Sequence, residues 1–195
     1  MNPPKTAATT ALGFLIGLVL GVVFAFVIET FDTSIGAVEE VEEFLGTKVL
    51  GVVPQVDTDE LKKTYKEKIS RDISDDELWR SGRMISHFVP KSTAAESYRA
   101  LRTNISFMKM ERDIKTIVFT SSSPQEGKTT ISINLAMTMA QAGHKTLLID
   151  GDFRRPVISK IFGIPSVPGL ADVILGNYKW RNTVRSITDL MMGQM

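Results

Sequence analysis

Apolar residues are densest near the start of the chain, where Thr6–Ile28 contains no charged side chain. At a rise of about 1.5 Å per residue, a helix over this segment crosses a hydrocarbon core about 30 Å thick. A signal peptide is the alternative, but no small-residue cleavage site follows the segment and its exit is acidic, with Glu29 and Asp32. The pattern therefore predicts a retained transmembrane helix, Thr6–Ile28, after an extracytoplasmic stub of residues 1–5.

Residues 29–56 are predicted to be a juxtamembrane segment in two parts. Apolar residues recur at three-residue steps among glutamates from Thr33 to Phe44, which is typical of a short amphipathic helix. The apolar, glycine-punctuated run that follows favours an edge strand ended by Pro54. Residues 57–91 are polar, alternate in charge sign and lack a sustained apolar face, so we predict a linker with helical pieces. His87 is expected there as a surface or packing residue.

Thr93–Met110 has the period of a helix. Its apolar stripe consists of Ala94, Tyr98, Leu101, Ile105 and Met108. Thr93 and Glu96 have the spacing of a capping box. Glu96, Arg99 and Arg102 lie off the stripe and spell E-x-x-R-x-x-R. The residues leave two interpretations open: a capped, solvated helix face with an i, i+3 ion pair, or a patch whose charges bind a neighbouring subunit.

Two short apolar runs and a helix make up the segment from residue 116 to residue 154. Ile117–Thr120 predicts a buried strand, Thr129–Ala142 a helix ended by Gly143, and Lys145–Ile149 a second strand. The helix residues expected to face the sheet are Ile133, Ala136, Met137 and Ala140. A strand, helix, strand order of this kind predicts an α/β fold with a parallel sheet and flanking helices.

The loop between the first strand and the helix matches the phosphate-loop pattern G-x-x-x-x-G-K-[ST], except that Ser122 replaces the first glycine. Gly127 supplies backbone freedom, Lys128 a point charge for the outer phosphates, and Thr129 a hydroxyl for Mg²⁺. The predicted ATP-phosphate ligands are Gln125, Glu126, Gly127, Lys128, Thr129 and Thr130. A chance G-K-T in an ordinary turn is the alternative, but the strand before and the helix after favour a nucleotide site.

Asp150 ends the second predicted strand, and Asp152 follows two residues later. Carboxylates at this spacing can share one face, so the pair is predicted to hold Mg²⁺ and its waters. One of them is then placed to polarise an attacking hydroxyl. With Lys128 they form the predicted catalytic set. The alternative is that Asp152 pairs with Arg154 or Arg155 in a surface turn.

Composition limits these hypotheses only broadly. The 195 residues are 43% hydrophobic and 23% charged, with a formal net charge of +1. This charge and the lack of a basic stripe argue against nucleic acid as the partner. The chain contains no cysteine, which rules out a disulfide framework and a thiolate metal site.

The order of these features resembles that of bacterial tyrosine kinases of the polysaccharide co-polymerase, or chain-length determinant, family. The features are the membrane helix, Leu50-Gly51-Val52-Val53-Pro54, Glu96-x-x-Arg99-x-x-Arg102, Gly127-Lys128-Thr129-Thr130 and Asp150-x-Asp152-x-Arg154-Arg155-Pro156. The resemblance implies ring-like self-association through E-x-x-R-x-x-R and autophosphorylation on tyrosine. It also implies control of capsule or exopolysaccharide synthesis and export, which would make the export and polymerisation machinery a partner.

The resemblance implies a longer protein than this chain. Residues 92–195 are similar to the first half of the kinase domain, and no second apolar strand ending in Asp is found after Arg155. We therefore expect a fragment with a truncated phosphate-loop sheet. Because ATP is cytosolic, we expect the inner membrane as location, with the C-terminal part in the cytoplasm. The alternative function is a non-catalytic nucleotide-binding regulator or assembly subunit. A partitioning ATPase is disfavoured, since Ser121-Ser122-Ser123 lacks the second lysine usual in that group.

Overall fold

The computed structural model describes residues 6–31, 38–56, 61–63, 74–111 and 113–187. The chain divides into two compact units, Met1–Val49 and Leu50–Met195. The described helices with their bounds are α1 Thr6–Phe31, α2 Val38–Leu45, α3 Asp75–Ser81, α4 Ile85–Phe88, α5 Thr93–Glu111, α6 Lys128–Gln141, α7 Ile158–Phe162, α8 Leu170–Ile174 and α9 Trp180–Thr183.

The first unit consists of the predicted apolar helix and a short amphipathic one. Within α1, the stretch Thr9–Val27 has a mean hydropathy of 2.6 and every side chain is exposed. By length and composition this helix is able to cross a membrane. The second helix, α2, begins at Val38. The first part of its predicted range, with Ile35, lies outside the described residues. Gly46 ends it with a φ of 62°.

The second unit is built around α6, which packs against α4 and α5. The described residues of this unit form three apolar clusters. The first contains Met84, Ile133, Met137, Ile161 and Phe162. The second contains Ile85, Ala94, Ala95 and Tyr98, and the third contains Leu101, Ile105 and Leu135. The predicted stripe of α5 is buried except for Met108, which is 37% exposed. On α6, Ile133 and Met137 are buried, whereas Ala140 is exposed. Because no strand is assigned in the described ranges, the contact of this face with a sheet stays a prediction. The buried positions of α6 also include Asn134 and Thr138.

Part of the predicted linker 57–91 is packed into the core in the described region. Met84 and Ile85 are only 2% and 3% exposed, and Leu61 is 2% exposed. Ser74 and Glu77 form a capping box at the start of α3. Helices of four to seven residues are too short to show an apolar period, which is why the sequence pattern resembles a linker there. His87 is exposed, as predicted.

The predicted strands Ile117–Thr120 and Lys145–Ile149 contain no helix or turn, but no strand is assigned in any of the described ranges. Val118 is 83% exposed and Leu147 is 58% exposed. A strand exists only through ladder hydrogen bonds with a neighbour, so an apolar run alone does not create one. The predicted edge strand ending at Pro54 is likewise not assigned as a strand in the described chain.

The start of α5 differs from the prediction in its cap. The Ser92 hydroxyl accepts the Ala95 N–H at 3.2 Å, so Ser92 is the capping residue. The predicted capping box of Thr93 with Glu96 is therefore wrong. Moving the cap one residue upstream makes Ala95 the third helical residue, and Glu96 is left to bond elsewhere.

Candidate nucleotide site

The loop before α6 has the backbone of an anion-binding turn. Gly127 has a φ of 87°, in the left-handed region that glycine adopts without strain, and α6 begins at the next residue. Gln125 also has a positive φ, at 68°. The first amides of a 14-residue helix therefore follow directly on a left-handed turn, and the positive end of the helix dipole lies there.

Lys128 is held by atoms of the loop itself. Its Nζ donates to Ser121 Oγ at 2.7 Å and to the Ser123 carbonyl at 3.3 Å. The Ser121 hydroxyl donates in turn to the same carbonyl at 2.7 Å. A phosphate oxygen would compete with these neutral acceptors for the ammonium group, and an ionised acceptor forms the stronger hydrogen bond.

Ser122, which departs from the motif, has a bond of its own. Its hydroxyl donates to the Glu126 carboxylate at 2.9 Å, and the Ser123 N–H donates to the same carboxylate at 3.1 Å. The Ser123 amide and then the Ser122 hydroxyl lower the pKa of Glu126 below its usual range. The Glu126 side chain therefore bonds back to Ser122, the position at which the motif has glycine, and to the residue after it.

The residues that follow are fixed by side chains of α6. The Ser132 hydroxyl donates to the Thr129 carbonyl at 2.9 Å, and Asn134 Nδ2 donates to the Thr130 carbonyl at 2.8 Å. Asn134 is fully buried and also bonds outside its helix. Its Oδ1 accepts the Ser86 N–H and its Nδ2 donates to the Arg83 carbonyl, each at 2.8 Å.

The two predicted catalytic aspartates bind backbone amides. Asp150 Oδ1 accepts the Asp152 N–H at 3.1 Å, and its Oδ2 accepts the N–H groups of Val157 and Ile158 at the start of α7. Asp152 Oδ1 accepts the N–H groups of Arg154 and Arg155 at 3.1 and 2.9 Å. Asp152 thus contacts Arg154 and Arg155, as the surface-turn alternative predicts, but through their backbone amides and not their guanidinium groups. In the described chain, no hydrogen bond joins either aspartate to the loop 122–130.

The donor set fits a nucleotide with Mg²⁺. Lys128 and the first amides of α6 suit phosphate, and Thr129 brings a hydroxyl to the same turn. The described residues contain no group of three or more His, Cys, Asp or Glu that could hold a metal ion. Magnesium is usually bound by one or two carboxylates plus substrate phosphates, so the pair of Asp150 and Asp152 is of the size that it requires.

In E-x-x-R-x-x-R, Glu96 and Arg99 pair with each other, whereas Arg102 bonds to another helix. Arg99 forms a two-point ion pair with Glu96, at 2.7 and 3.1 Å, and its Nη2 also donates to the Pro90 carbonyl. Arg102 instead donates from Nη1 to the Thr138 carbonyl of α6 at 3.0 Å. The ion pair predicted from spacing is confirmed. The bond of Arg102 joins residues 36 positions apart, so no local pattern could predict it.

Residues 117–168 match the CobQ/CobB/MinD/ParA nucleotide binding domain. Over 178 residues the chain is 33% identical to a putative tyrosine-protein kinase, EpsB, of Ralstonia nicotianae, a match that covers 89% of this chain and 22% of the relative. It is 41% identical over 99 residues to the putative tyrosine-protein kinase CapB of Staphylococcus aureus, covering 51% of this chain and 43% of that protein. The chain is a homologue of bacterial tyrosine-protein kinases.

The structure is similar to the kinase domain of the Escherichia coli tyrosine kinase ETK, with a TM-score of 0.64 and 26% identity. This similarity covers 79% of the chain and 56% of that domain. The chain thus spans from about a fifth to somewhat over half of the length of these three homologues. The resemblance to bacterial tyrosine kinases that the motifs indicate is confirmed. The match to a nucleotide binding domain, residues 117–168, includes both the loop and Asp150.

Proposed function

We propose that this chain functions as a membrane-anchored, ATP-dependent protein tyrosine autokinase in capsular or exopolysaccharide biosynthesis and export. The observation that carries the proposal is the position of Lys128 after the left-handed Gly127, at the first turn of a 14-residue helix. That helix lies within the nucleotide-binding match, in a chain whose homologues are named tyrosine-protein kinases.

In this proposal the loop residues Gln125–Thr130 bind the phosphates of ATP. Lys128 exchanges Ser121 Oγ and the Ser123 carbonyl for oxygens of the outer phosphates, and the backbone amides at the start of α6 bind the others. The Glu126 carboxylate keeps its bond to the Ser123 amide and holds the loop in shape. Bound Mg²⁺ would neutralise phosphate charge, with Thr129, Asp150 and Asp152 as its protein ligands.

Phosphoryl transfer needs an acceptor hydroxyl in line with the terminal phosphate. A bond forms between the phenolic oxygen of a tyrosine and the γ-phosphorus, and the bond from that phosphorus to the bridging oxygen of ADP breaks. We propose Asp150 as the base that accepts the phenolic proton. Asp150 directly follows the segment Lys145–Ile149 and lies within the nucleotide-binding match.

The fold proposed for this activity is a phosphate-loop parallel sheet with flanking helices. The segments Ile117–Thr120 and Lys145–Ile149 are its strands in the proposal, and residues 92–195 are the kinase part. The similarity to the ETK kinase domain supports this arrangement, as do the exposed apolar side chains of both segments. We place residues 1–5 outside the inner membrane, residues 29–56 beside it, residues 57–91 as the connection and the kinase part in the cytoplasm.

We further propose that the chain forms a ring-like homo-oligomer through the face of α5 that carries Glu96, Arg99 and Arg102. The polysaccharide export and polymerisation machinery is its proposed partner at the membrane. The support is the exposure of Glu96, whose side chain is 66% exposed while it pairs with Arg99. Such a pair can be shared with a second subunit without burying an unpaired charge.

The test uses the full chain in lipid vesicles with γ-labelled ATP and Mg²⁺. We expect label on tyrosine, lost in Lys128→Met and kept in Lys179→Met, which changes an exposed lysine beside α9. Label that persists in Lys128→Met would contradict the assignment of the loop. Nucleotide binding without phosphotyrosine would favour a non-catalytic regulator of polysaccharide export. The backbone bonds of Asp150 and Asp152 are the observation in favour of that second candidate.

A further inference from the structure

Arg102 crosses from α5 to the far end of the nucleotide helix. Its Nη1 lies 3.0 Å from the carbonyl oxygen of Thr138, a residue that is fully buried. The same carbonyl accepts the N–H of Ala142, the C-cap residue that follows α6. A guanidinium therefore sits on one of the last four carbonyls of the helix, where the dipole is negative and a cation is stabilising.

The opposite end of this helix carries Lys128, Thr129 and Thr130. A helix of 14 residues is about 21 Å long, so a tilt of about 5° about its middle moves the first turn by about 1 Å. A displacement of that size is enough to weaken the binding of a precisely held group. The contact of Arg102 with Thr138 therefore influences the position of the loop, although Thr138 lies near the opposite end of the helix.

A second, apolar link joins α5 to the first turn of α6. Tyr98, which is 2% exposed, lies in an apolar cluster against which Ile131 of α6 packs. Apolar contacts of Leu101 with Leu135 lie between the two links. The helix is thus attached to α5 near both of its ends.

Arg99 provides a contrast within the same motif. Its guanidinium bonds to Glu96 and to the Pro90 carbonyl, within α5 and the turn before it. Both arginines lie in α5 three residues apart, so their substitution alters the same helix and the same net charge. Within the part of the chain that the structure describes, it is Arg102 and not Arg99 that bonds to α6.

We propose that Arg102 is a positioning residue for the nucleotide loop, acting within one chain by holding α6 against α5. This role is separate from self-association, and it rests on the proposed binding of nucleotide by the loop. The bond from Arg102 to Thr138 fixes the axis of α6, and the axis fixes where Lys128 and the first amides point. Loss of the guanidinium therefore weakens nucleotide binding without removing any group that touches the nucleotide.

The experiment measures the affinity of the full chain in detergent micelles for a fluorescent ADP with Mg²⁺. Arg102→Ala is expected to weaken binding about three- to tenfold, since it removes one hydrogen bond to a charged group at a distance from the ligand. Arg102→Lys keeps a cation on the helix end and is expected to recover part of the loss. The matched control Arg99→Ala should stay within about twofold of the unmodified chain. Size-exclusion chromatography of each sample reports its oligomeric state.

Equal affinity of Arg102→Ala and the unmodified chain would overturn the inference, even if the variant melts at a lower temperature. Equal loss in Arg99→Ala would also overturn it, because self-association would then explain both. If Arg102→Ala does not fold, Arg102→Gln, which keeps a donor but no charge, takes its place under the same criteria. An unmodified chain that binds no nucleotide contradicts the proposed function itself and is recognised before any variant is compared.

Discussion

Lys128 Nζ lies 2.7 Å from Ser121 Oγ, so the cation of the nucleotide loop is held by a side chain at the start of that loop. The Ser123 carbonyl receives both the Lys128 ammonium and the Ser121 hydroxyl. The three groups therefore form a closed set of hydrogen bonds. A bound phosphate must replace one or both acceptors of Lys128. The affinity for phosphate is therefore reduced by the free energy of the hydrogen bonds that Lys128 gives up.

Ser121→Ala is expected to leave the affinity for fluorescent ADP within about threefold of the unmodified chain, because alanine removes a competing acceptor and not a ligand. Lys128→Met is expected to lose at least about tenfold, since it removes a charge-assisted bond to phosphate. Titration of both variants under the same salt checks this. An equal loss in the two variants would mean that the Ser121 hydroxyl itself is needed for binding.

The Glu126 carboxyl should titrate below its ordinary value of 4.5, because the Ser123 amide and the Ser122 hydroxyl bind its ionised form. A depressed pKa stabilises the folded loop above the unfolded value, and this contribution is lost as the pH falls through the folded pKa. Carbon-13 NMR of the carboxyl groups, assigned with Glu126→Gln, measures the shift. Ser122→Ala should raise this pKa toward 4.5. No change in Ser122→Ala would contradict the bond.

Tyr98 should ionise at high pH only, because burial raises the pKa of its phenol from 10.0 to about 12. The raised value means that the neutral form stabilises the fold. This contribution is complete below pH 10.0 and is lost as the pH rises through about 12. Ultraviolet titration against Tyr98→Phe identifies the group.

Tyr98→Phe is expected to lower the free energy of unfolding by about 1 kcal/mol, since it removes a buried hydroxyl beside Asn134 and leaves a void in a packed cluster. Urea unfolding in micelles, followed by tryptophan fluorescence, measures the loss. Tyr178→Phe is the control and should be neutral. A larger cost for Tyr178→Phe would show that the exposed phenol, and not the buried one, supports the fold.

Gly163→Ala is expected to destabilise the fold by about 1–2 kcal/mol, because its φ of 66° disfavours a side chain. The added Cβ would also lie 3.0 Å from Arg80 Nη2, while Arg80 Nε donates to the Ile161 carbonyl at 2.8 Å. Gly151→Ala is the matched control, since a Cβ added at that residue would meet no atom within 4 Å and its φ is not in the left-handed region. The same urea titration compares them, and equal stability of the two variants would contradict the expected strain.

Local sequence patterns predict the structure correctly where a single short segment determines a helix or its ends. The bounds of α5 and α6 were predicted to within one or two residues, because their apolar periods and end signals are local. Gly143 was predicted to end the nucleotide helix, and it follows the last turn with a φ of 86°. The Glu96 and Arg99 pair was predicted as one alternative for the same reason, since both residues lie on one helix face.

Local patterns do not predict the features that depend on groups distant in the sequence. Asn134 lies in an apolar run, and only the approach of Ser86 and Arg83 gives its amide partners outside its own helix. The cap of α5 moved to Ser92 because backbone geometry, and not composition, selects the capping hydroxyl. The segments around Val118 and Leu147 have strand-like sequences, but pairing is a property of two strands and not of one.

By itself the sequence determined the membrane-length helix, the left-handed Gly127 before Lys128, and the two aspartates after an apolar run. Each depends on residues within about one or two helical turns, or on the length of an uncharged stretch, so local chemistry is sufficient. The tertiary structure alone decided that Arg102 bonds to Thr138, that Lys128 is held by Ser121, and that Asp150 binds the start of α7. Those partners lie 7 to 36 residues apart and meet only when helices pack and loops close.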